Sequence, residues 1–179
     1  MGSFAPRRHV MTADQPEEMA SLAARLESKD ADDRAAAAEK LAQAGEAAAP
    51  VAIPLVRACG DADERVREWA VAALEELGPP PDDVIATLAT LATGSVPLAA
   101  YWAVTLLGRA GQAAAGTAGV LADCLSSGDA AVAQRAAWAL GKLGPAAAVA
   151  REQLRTAAQS ADPRLAGLAV EALAASGGA

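Results

Sequence analysis

Residues 61–78 read DADERVREWAVAALEELG, and this stretch decides the fold. Its apolar residues recur at the spacing of one face of an α-helix. These residues are Val66, Ala70, Ala73, Leu74 and Leu77. Asp63 can cap the free N–H groups at the start of this helix, and Gly78 suits the left-handed residue that ends one. The stretch therefore predicts an amphipathic helix that starts after Asp63 and runs to Gly78.

The same pattern returns every 33 residues along the chain. The repeated glycines are Gly45, Gly78, Gly111, Gly144 and Gly177. A leucine lies four residues before each glycine: Leu41, Leu74, Leu107, Leu140 and Leu173. A second leucine column keeps the same step: Leu22, Leu55, Leu88, Leu121 and Leu154. A fixed period with two unbroken leucine columns indicates a repeat protein whose units stack on one another.

Each unit is predicted to contain two helices. The first helix carries the second leucine column, for example over 50–58 or 146–158, and the second runs from an aspartate to the glycine. Val96 replaces that aspartate in the third unit, and Pro79 to Pro81 predict a stiff, extended connection. Residues 1–16 are expected to be flexible and 17–179 to form the repeat domain. The five repeats are about 17–45, 46–78, 79–111, 112–144 and 145–177.

With its Asp, Val-Arg, Ala-Ala, Ala-Leu and Leu-Gly, the stretch 61–78 resembles a HEAT repeat of the short type related to phycobilisome-lyase repeats. The Val-Arg pair is intact only at Val66-Arg67, and Val96 departs from the aspartate position. The resemblance implies an all-α, right-handed α-solenoid of five 33-residue helix pairs. It also implies that the second helix of each pair lines the concave side.

Composition and charge exclude several classes of protein. Aromatic residues are only 3% of the chain, which argues against an all-β fold, and a net charge of −7 disfavours nucleic-acid binding. His9 is the only histidine, and Cys59 and Cys124 are far apart, so neither a metal site nor a disulfide framework is indicated. No catalytic set is found. We expect a protein that is not an enzyme and has no cofactor.

Hydropathy predicts no transmembrane helix, because charges, prolines or glycines interrupt every window of about 18 residues. The first residues lack the apolar core of a secretory signal. The expectation is a cytoplasmic protein without a membrane partner, either monomeric or weakly dimeric.

The side chains that point away from the apolar stripe of the second helices are the candidate binding residues. Four of the five aromatic residues lie there, in the three central repeats, which is typical of an interaction hot spot. The proposed anchors are Trp69, Tyr101, Trp102 and Trp138. The accompanying polar residues are Glu68, Thr105, Arg109, Gln134 and Arg135. The alternative is that Trp69 and Trp102 cover the seams between repeats.

These features predict a non-catalytic scaffold that holds a protein or peptide on its concave face. Residues 14–83 carry 17 acidic and 7 basic side chains, so this end is expected to attract a basic segment of the partner. The alternative is that these charges only solvate the helices. Two other functions stay open: an accessory protein that binds a planar ligand such as a bilin, as the resemblance allows, and a self-assembling structural element.

Overall fold

The computed structural model describes residues 15–177. Within this range ten α-helices follow one another, two in each repeat, and the predicted all-α solenoid is confirmed. They are α1 (Gln15–Arg25), α2 (Ala31–Ala44), α3 (Ala52–Ala58), α4 (Glu64–Glu76), α5 (Ile85–Ala92), α6 (Pro97–Ala110), α7 (Ala118–Cys124), α8 (Ala130–Leu143), α9 (Arg151–Ala157) and α10 (Pro163–Ala175). Residues 1–14 of the segment that was expected to be flexible, 1–16, lie outside the described residues. Helix α1 begins at Gln15, within that segment.

The first half of most repeats is not the single helix that the sequence predicts. A 3₁₀ segment precedes α3, α7 and α9, over Gly45–Val51, Gly111–Thr117 and Gly144–Ala150. A shorter 3₁₀ turn, Asp82–Val84, precedes α5. Such segments are short connectors with tighter turns, and they leave only seven or eight residues for the α-helix that follows.

The second helices begin where the aspartate column predicts. Asp30, Asp63, Asp129 and Asp162 each accept a hydrogen bond from the backbone N–H two residues later, at 2.9 Å. Val96 makes no such bond, and α6 begins instead with Pro97, whose missing N–H needs no partner there. Local chemistry therefore fixes all five helix starts.

The ends of the second helices follow the glycine column with one exception. Gly45, Gly111, Gly144 and Gly177 have φ between 55° and 78°, the left-handed conformation that favours glycine. Gly78 does not adopt it. Helix α4 ends at Glu76, and Leu77 is already extended (ψ 133°), because the prolines that follow cannot continue the helix.

The leucine columns form the core. All five leucines of the second column are buried, as are Leu41, Leu74, Leu107 and Leu140 of the first column. An alanine lies eight residues before each repeated glycine, and all five are buried: Ala37, Ala70, Ala103, Ala136 and Ala169. Helix pairs α2 and α4, α6 and α8, and α8 and α10 pack side by side. Helix α4 does not pack along α6 in this way, and α6 contacts α3 instead. The stack is therefore opened at the junction of repeats 2 and 3, where Pro79 to Pro81 follow α4.

Two further predictions concern the cysteines and the membrane. Cys59 and Cys124 are buried free thiols, and burial raises their pKa to about 12 and about 11.

None of the helices described over 15–177 has the length and apolarity needed to span a bilayer.

Candidate functional site

The solvent-facing side of α6 and α8 carries a stack of aromatic rings and cations. Arg135 lies between two rings, with its guanidinium carbon 4.7 Å from the ring centre of Tyr101 and 5.0 Å from that of Trp138. Arg135 also donates a hydrogen bond to the Tyr101 hydroxyl. Nζ of Lys142 lies 5.7 Å from the ring centre of Trp138. Cation–π attraction and the hydrogen bond hold these half-buried rings in a defined position.

Trp138 separates two hollows on this surface. One, of about 170 Å³, lies between Tyr101, Arg135 and Arg164, and the other, of about 280 Å³, lies beside Lys142 and Glu171. Leu168 and Trp138 form a wall of both hollows. Spaces of this size, with one indole between them, suit individual side chains of a bound polypeptide.

Two of the predicted binding residues are buried, which corrects the expectation that they face a partner. Trp102 is only 6% exposed and Thr105 only 3%. Thr105 donates its hydroxyl to the carbonyl of Tyr101 within α6, at 2.8 Å. Trp102 packs edge to face against Tyr101, with ring centres 5.6 Å apart. The alternative reading of the sequence, an indole that covers a seam, therefore describes Trp102.

The Trp102 indole N–H is buried and has no hydrogen-bond partner among the described residues. A buried donor without an acceptor costs free energy, so packing of the large ring must outweigh that cost. The Trp102 ring is therefore part of the hydrophobic core.

Arg109 is a helix cap. It donates hydrogen bonds to the carbonyls of Leu74 (2.8 Å), Leu77 and Glu75 (3.3 Å), and its guanidinium lies 5.8 Å from the Trp102 ring centre. These carbonyls lie at the end of α4, where the extended Leu77 and the prolines leave them without intrahelical partners. Burial, and then repulsion from Arg135, lowers the pKa of Arg109. Arg109 therefore joins repeats 2 and 3 across the opened junction.

Gln134 also makes a contact between repeats. Its side-chain amide donates to Asp162 at 2.7 Å, and Asp162 in turn caps α10. This bond is the main cause of a lowered pKa at Asp162. Gln134 nevertheless lines the smaller hollow, so it can meet a bound group as well.

Trp69 and Glu68 lie apart from this cluster, on α4. Trp69 is 38% exposed, although it holds the repeat position that Trp102 holds one unit later. Glu68 lines a shallow groove of about 360 Å³ at the opened junction, together with Glu64, Glu75, Arg67 and the exposed Leu98 of α6. The structure thus divides the predicted residues into a cluster on α6 and α8 and a separate acidic, apolar patch on α4.

Sequence reasoning did not select three residues that the structure adds to the aromatic cluster. Lys142, Arg164 and Leu168 border the two hollows, and they occupy outward positions of the same 33-residue register. Arg164 and Leu168 belong to the fifth repeat, which has no aromatic residue, whereas the predicted site is centred on the rings of repeats 2 to 4. A search for outward-facing cations would have found Lys142 and Arg164, but not Leu168.

Charge differs between the second helices on their solvent-facing side. Exposed carboxylates dominate α4, whereas α8 and α10 carry Arg135, Lys142 and Arg164 beside Glu171. Among residues 15–177, no three His, Cys, Asp or Glu residues lie close enough to hold a metal ion.

Known proteins share this architecture. An engineered protein studied by the Northeast Structural Genomics Consortium is 24% identical and superposes with a TM-score of 0.62 over 88% of this chain and 78% of its own. A designed armadillo repeat protein in complex with the peptide (KR)4 is 20% identical, with a TM-score of 0.61 over 88% of this chain and 81% of its own. At these identities the likeness concerns the fold.

A natural structure is also similar. The complex of CpcE and CpcF of phycocyanin lyase from Nostoc sp. PCC7120 is 18% identical, with a TM-score of 0.55 over 89% of this chain and 98% of that chain. No curated protein sequence gives a significant match. The sequence pattern of the family described as HEAT repeats matches residues 19–108, just over half of the chain. With stacked helix pairs in all five repeats, the chain belongs to the HEAT repeat family.

Proposed function

We propose that this protein is a non-catalytic scaffold that binds a protein or peptide along the outward, concave side of its second helices, with the main anchor at Trp138. The observation that carries the proposal is the half-buried Trp138 ring between two hollows, held by Arg135 and Lys142. A rigid ring beside preformed hollows gives contact area at a low cost in ordering. The solved complex of a designed repeat protein with a peptide supports this use of the fold.

Charge gives the bound segment a direction. The cations Arg135, Lys142 and Arg164 favour acidic residues of the partner at repeats 4 and 5. The carboxylates of α4 favour its basic residues near Glu68 and Trp69, in keeping with the basic segment expected from the sequence. A segment of this kind would lie with its basic part on repeats 1 and 2 and its acidic part over Trp138.

The size of the hollows disfavours a planar ligand at Trp138. At about 170 and 280 Å³, both are below the roughly 300–1,000 Å³ of typical small-molecule sites. The similarity to the phycocyanin lyase complex keeps a bilin-binding role as the second candidate. Visible absorbance that stays with the purified protein would favour that candidate.

The three tryptophans allow a direct test. Each contributes one indole N–H signal to an NMR spectrum, and the variants Trp69→Phe, Trp102→Phe and Trp138→Phe would assign them. Peptides selected from a random library against the whole chain should shift the Trp138 signal and leave that of Trp102 nearly unchanged. Binding should weaken by roughly tenfold or more in Trp138→Ala.

A matched control separates lost binding from lost folding. Val170→Ala changes an exposed residue of α10 and should bind like the wild type. Selected peptides that bind Trp138→Ala as tightly as the wild type would contradict the proposal. Light scattering at two protein concentrations tests self-assembly. If the chain dimerises and the dimer shifts the Trp138 signal without peptide, the surface at Trp138 binds a second copy of the chain and the proposal of a different partner is wrong.

A further inference from the structure

One repeat position holds an arginine in only two of the five units. Eleven residues before the glycine lie Arg34 and Arg67 in the first two repeats, and alanines, Ala100, Ala133 and Ala166, in the other three. The contacts of Arg34 and Arg67 show which group the equivalent position of a later repeat can bind.

Arg34 fills a site between repeats 1 and 2. Its guanidinium donates to the carbonyls of Ser28 (2.9 Å) and Lys29 (3.3 Å), in the turn before α2. It also forms a two-pronged ion pair with Asp61 of the next repeat, at 2.7 and 2.8 Å. Only 16% of the Arg34 side chain and 11% of the Asp61 side chain remain exposed. Arg67 makes the same two carbonyl contacts one repeat later, with Asp61 at 2.8 Å and Ala62 at 3.0 Å.

The corresponding place between repeats 3 and 4 is a cavity of about 400 Å³. The turn before α6 supplies Gly94 and Ser95, at the positions of Ser28 and Lys29, and Ala100 replaces the arginine. All three residues line the cavity. Among residues 15–177, no side chain donates a hydrogen bond to the carbonyls of Gly94 or Ser95. The acceptors that bind a guanidinium in the first two repeats are thus present without the chain's own arginine.

The walls of this cavity are acidic. Asp123 lies exposed at the rim, and Asp129 accepts the N-terminal N–H groups of α8 through Oδ1. No lysine or arginine lines the space, while Ser127, which stands where Asp61 stands in repeat 2, adds a hydroxyl. Backbone carbonyls and carboxylates together match the planar, five-donor fork of a guanidinium.

We propose that this cavity binds the guanidinium group of an arginine side chain supplied by a partner protein. The group takes the place that Arg34 occupies in repeat 1, with the carbonyls of Gly94 and Ser95 as acceptors and Asp123 and Asp129 as counter-charges. The exposed residues of the rim leave the space open for entry from solvent. A site of this kind lies at the turns before α6 and α8 and does not depend on Trp138, so it goes beyond the function proposed above.

Titration of the whole chain with Nα-acetyl-arginine amide tests the proposal. We expect saturable shifts of the backbone amide signals of Gly94, Ser95 and Ser127. The neutral isostere Nα-acetyl-citrulline amide should bind about tenfold more weakly or worse, because it lacks the charge that strengthens these hydrogen bonds. Equal affinity for the two probes would overturn the proposal.

Titration with free arginine tests whether the guanidinium group comes from a protein side chain or from the free amino acid. Its own carboxylate would lie near Asp123 and Asp129, so it should bind more weakly than the blocked residue. Tighter binding of free arginine would show that the site takes a small amino acid, and it would overturn the assignment to a protein partner.

Two variants test whether the arginine amide binds in this cavity. Ala100→Arg supplies the missing side chain from within the chain and should abolish binding of the arginine amide. Asp123→Asn changes only an exposed rim residue, and it should weaken binding about twofold to fivefold without loss of folding. Undiminished binding by either folded variant would contradict the site.

Arg34→Ala is the positive control. It opens the equivalent space in repeat 1 with Asp61 in place, so the arginine amide should bind there and raise the melting temperature of this variant more than that of the wild type. If the arginine amide bound neither this opened space nor the cavity at Ala100, the comparison between repeats would be wrong.

Discussion

Trp138 lies directly over Gly108. A Cβ atom added to Gly108 would lie 2.9 Å from Cε3 of the indole and closer still to Cζ3, a distance that packed side chains do not reach. The ring that we propose as the anchor is therefore seated on the α6 backbone, and its position depends on a glycine in the preceding repeat.

Gly108→Ala should displace that ring. Alanine favours a helix by about 0.5–1 kcal/mol over glycine, but overpacking costs about 1–3 kcal/mol, so we expect a net loss of stability and a changed Trp138 fluorescence. Gly167→Ala in α10 is the matched control, because nothing lies within 4 Å of the added Cβ, and it should stabilise by about 0.5–1 kcal/mol. Urea unfolding measures both. Equal effects of the two substitutions would show that Trp138 does not pack on Gly108.

Arg34→Ala should lower the melting temperature more than Arg67→Ala. The two arginines hold equivalent positions and both bind two carbonyls, but only Arg34 has a carboxylate partner in the next repeat, where Asp61 stands. Gly94 occupies that position for Arg67. Calorimetry of the two variants compares the same truncation with and without the ion pair. Similar losses would mean that the pair adds nothing to the carbonyl bonds.

The ion pair also predicts a pH dependence. The hydrogen bonds from Arg34 hold the pKa of Asp61 below its ordinary 3.8, against the opposing effect of partial burial. A carboxyl with a lowered folded pKa stabilises fully above the ordinary pKa and loses that contribution as the pH falls through the folded value. The difference in unfolding free energy between wild type and Asp61→Asn should therefore be constant near neutrality and shrink below about pH 4. Denaturant curves along a pH series measure it, and a difference that does not shrink would contradict the assignment.

Trp102→Ala should cost far more stability than Trp69→Ala, although the two residues share a repeat position. Truncation of a buried aromatic residue costs about 3–5 kcal/mol, and Trp102 is only 6% exposed against 38% for Trp69. Chemical unfolding of the two variants provides the comparison. A loss at Trp69 as large as that at Trp102 would mean that Trp69 is core as well.

The sequence predicts most of the fold because the signals that define it are local. Asp129 and Asp162 cap the helices that follow them, and Gly111 and Gly144 end helices in the left-handed conformation. The sequence predicts the first helix of each repeat less well, because alanine-rich segments there form 3₁₀ turns. The alanines and glycines of these segments do not distinguish the α-helical from the 3₁₀ hydrogen-bond pattern, so packing decides between them.

The residues of the predicted site do not form one cluster, because neighbouring repeats differ. Trp69 and Trp102 are identical in register, yet Trp69 is exposed and Trp102 is buried beneath Arg109, which crosses the junction to bind carbonyls at the end of α4. No periodic rule contains this information, since it arises where the period is interrupted.

The sequence by itself determined the number of repeats, the two helices of each, and the leucine core, because a fixed 33-residue step repeats the same short-range interactions. Only the tertiary structure decided which side chains reach solvent and which spaces stay open. Trp138 is an available ring because Gly108 lies beneath it, and the cavity at Ala100 exists because the acceptors of an arginine remain where the arginine is missing. Both depend on contacts between residues that are neighbours in space but belong to different repeats.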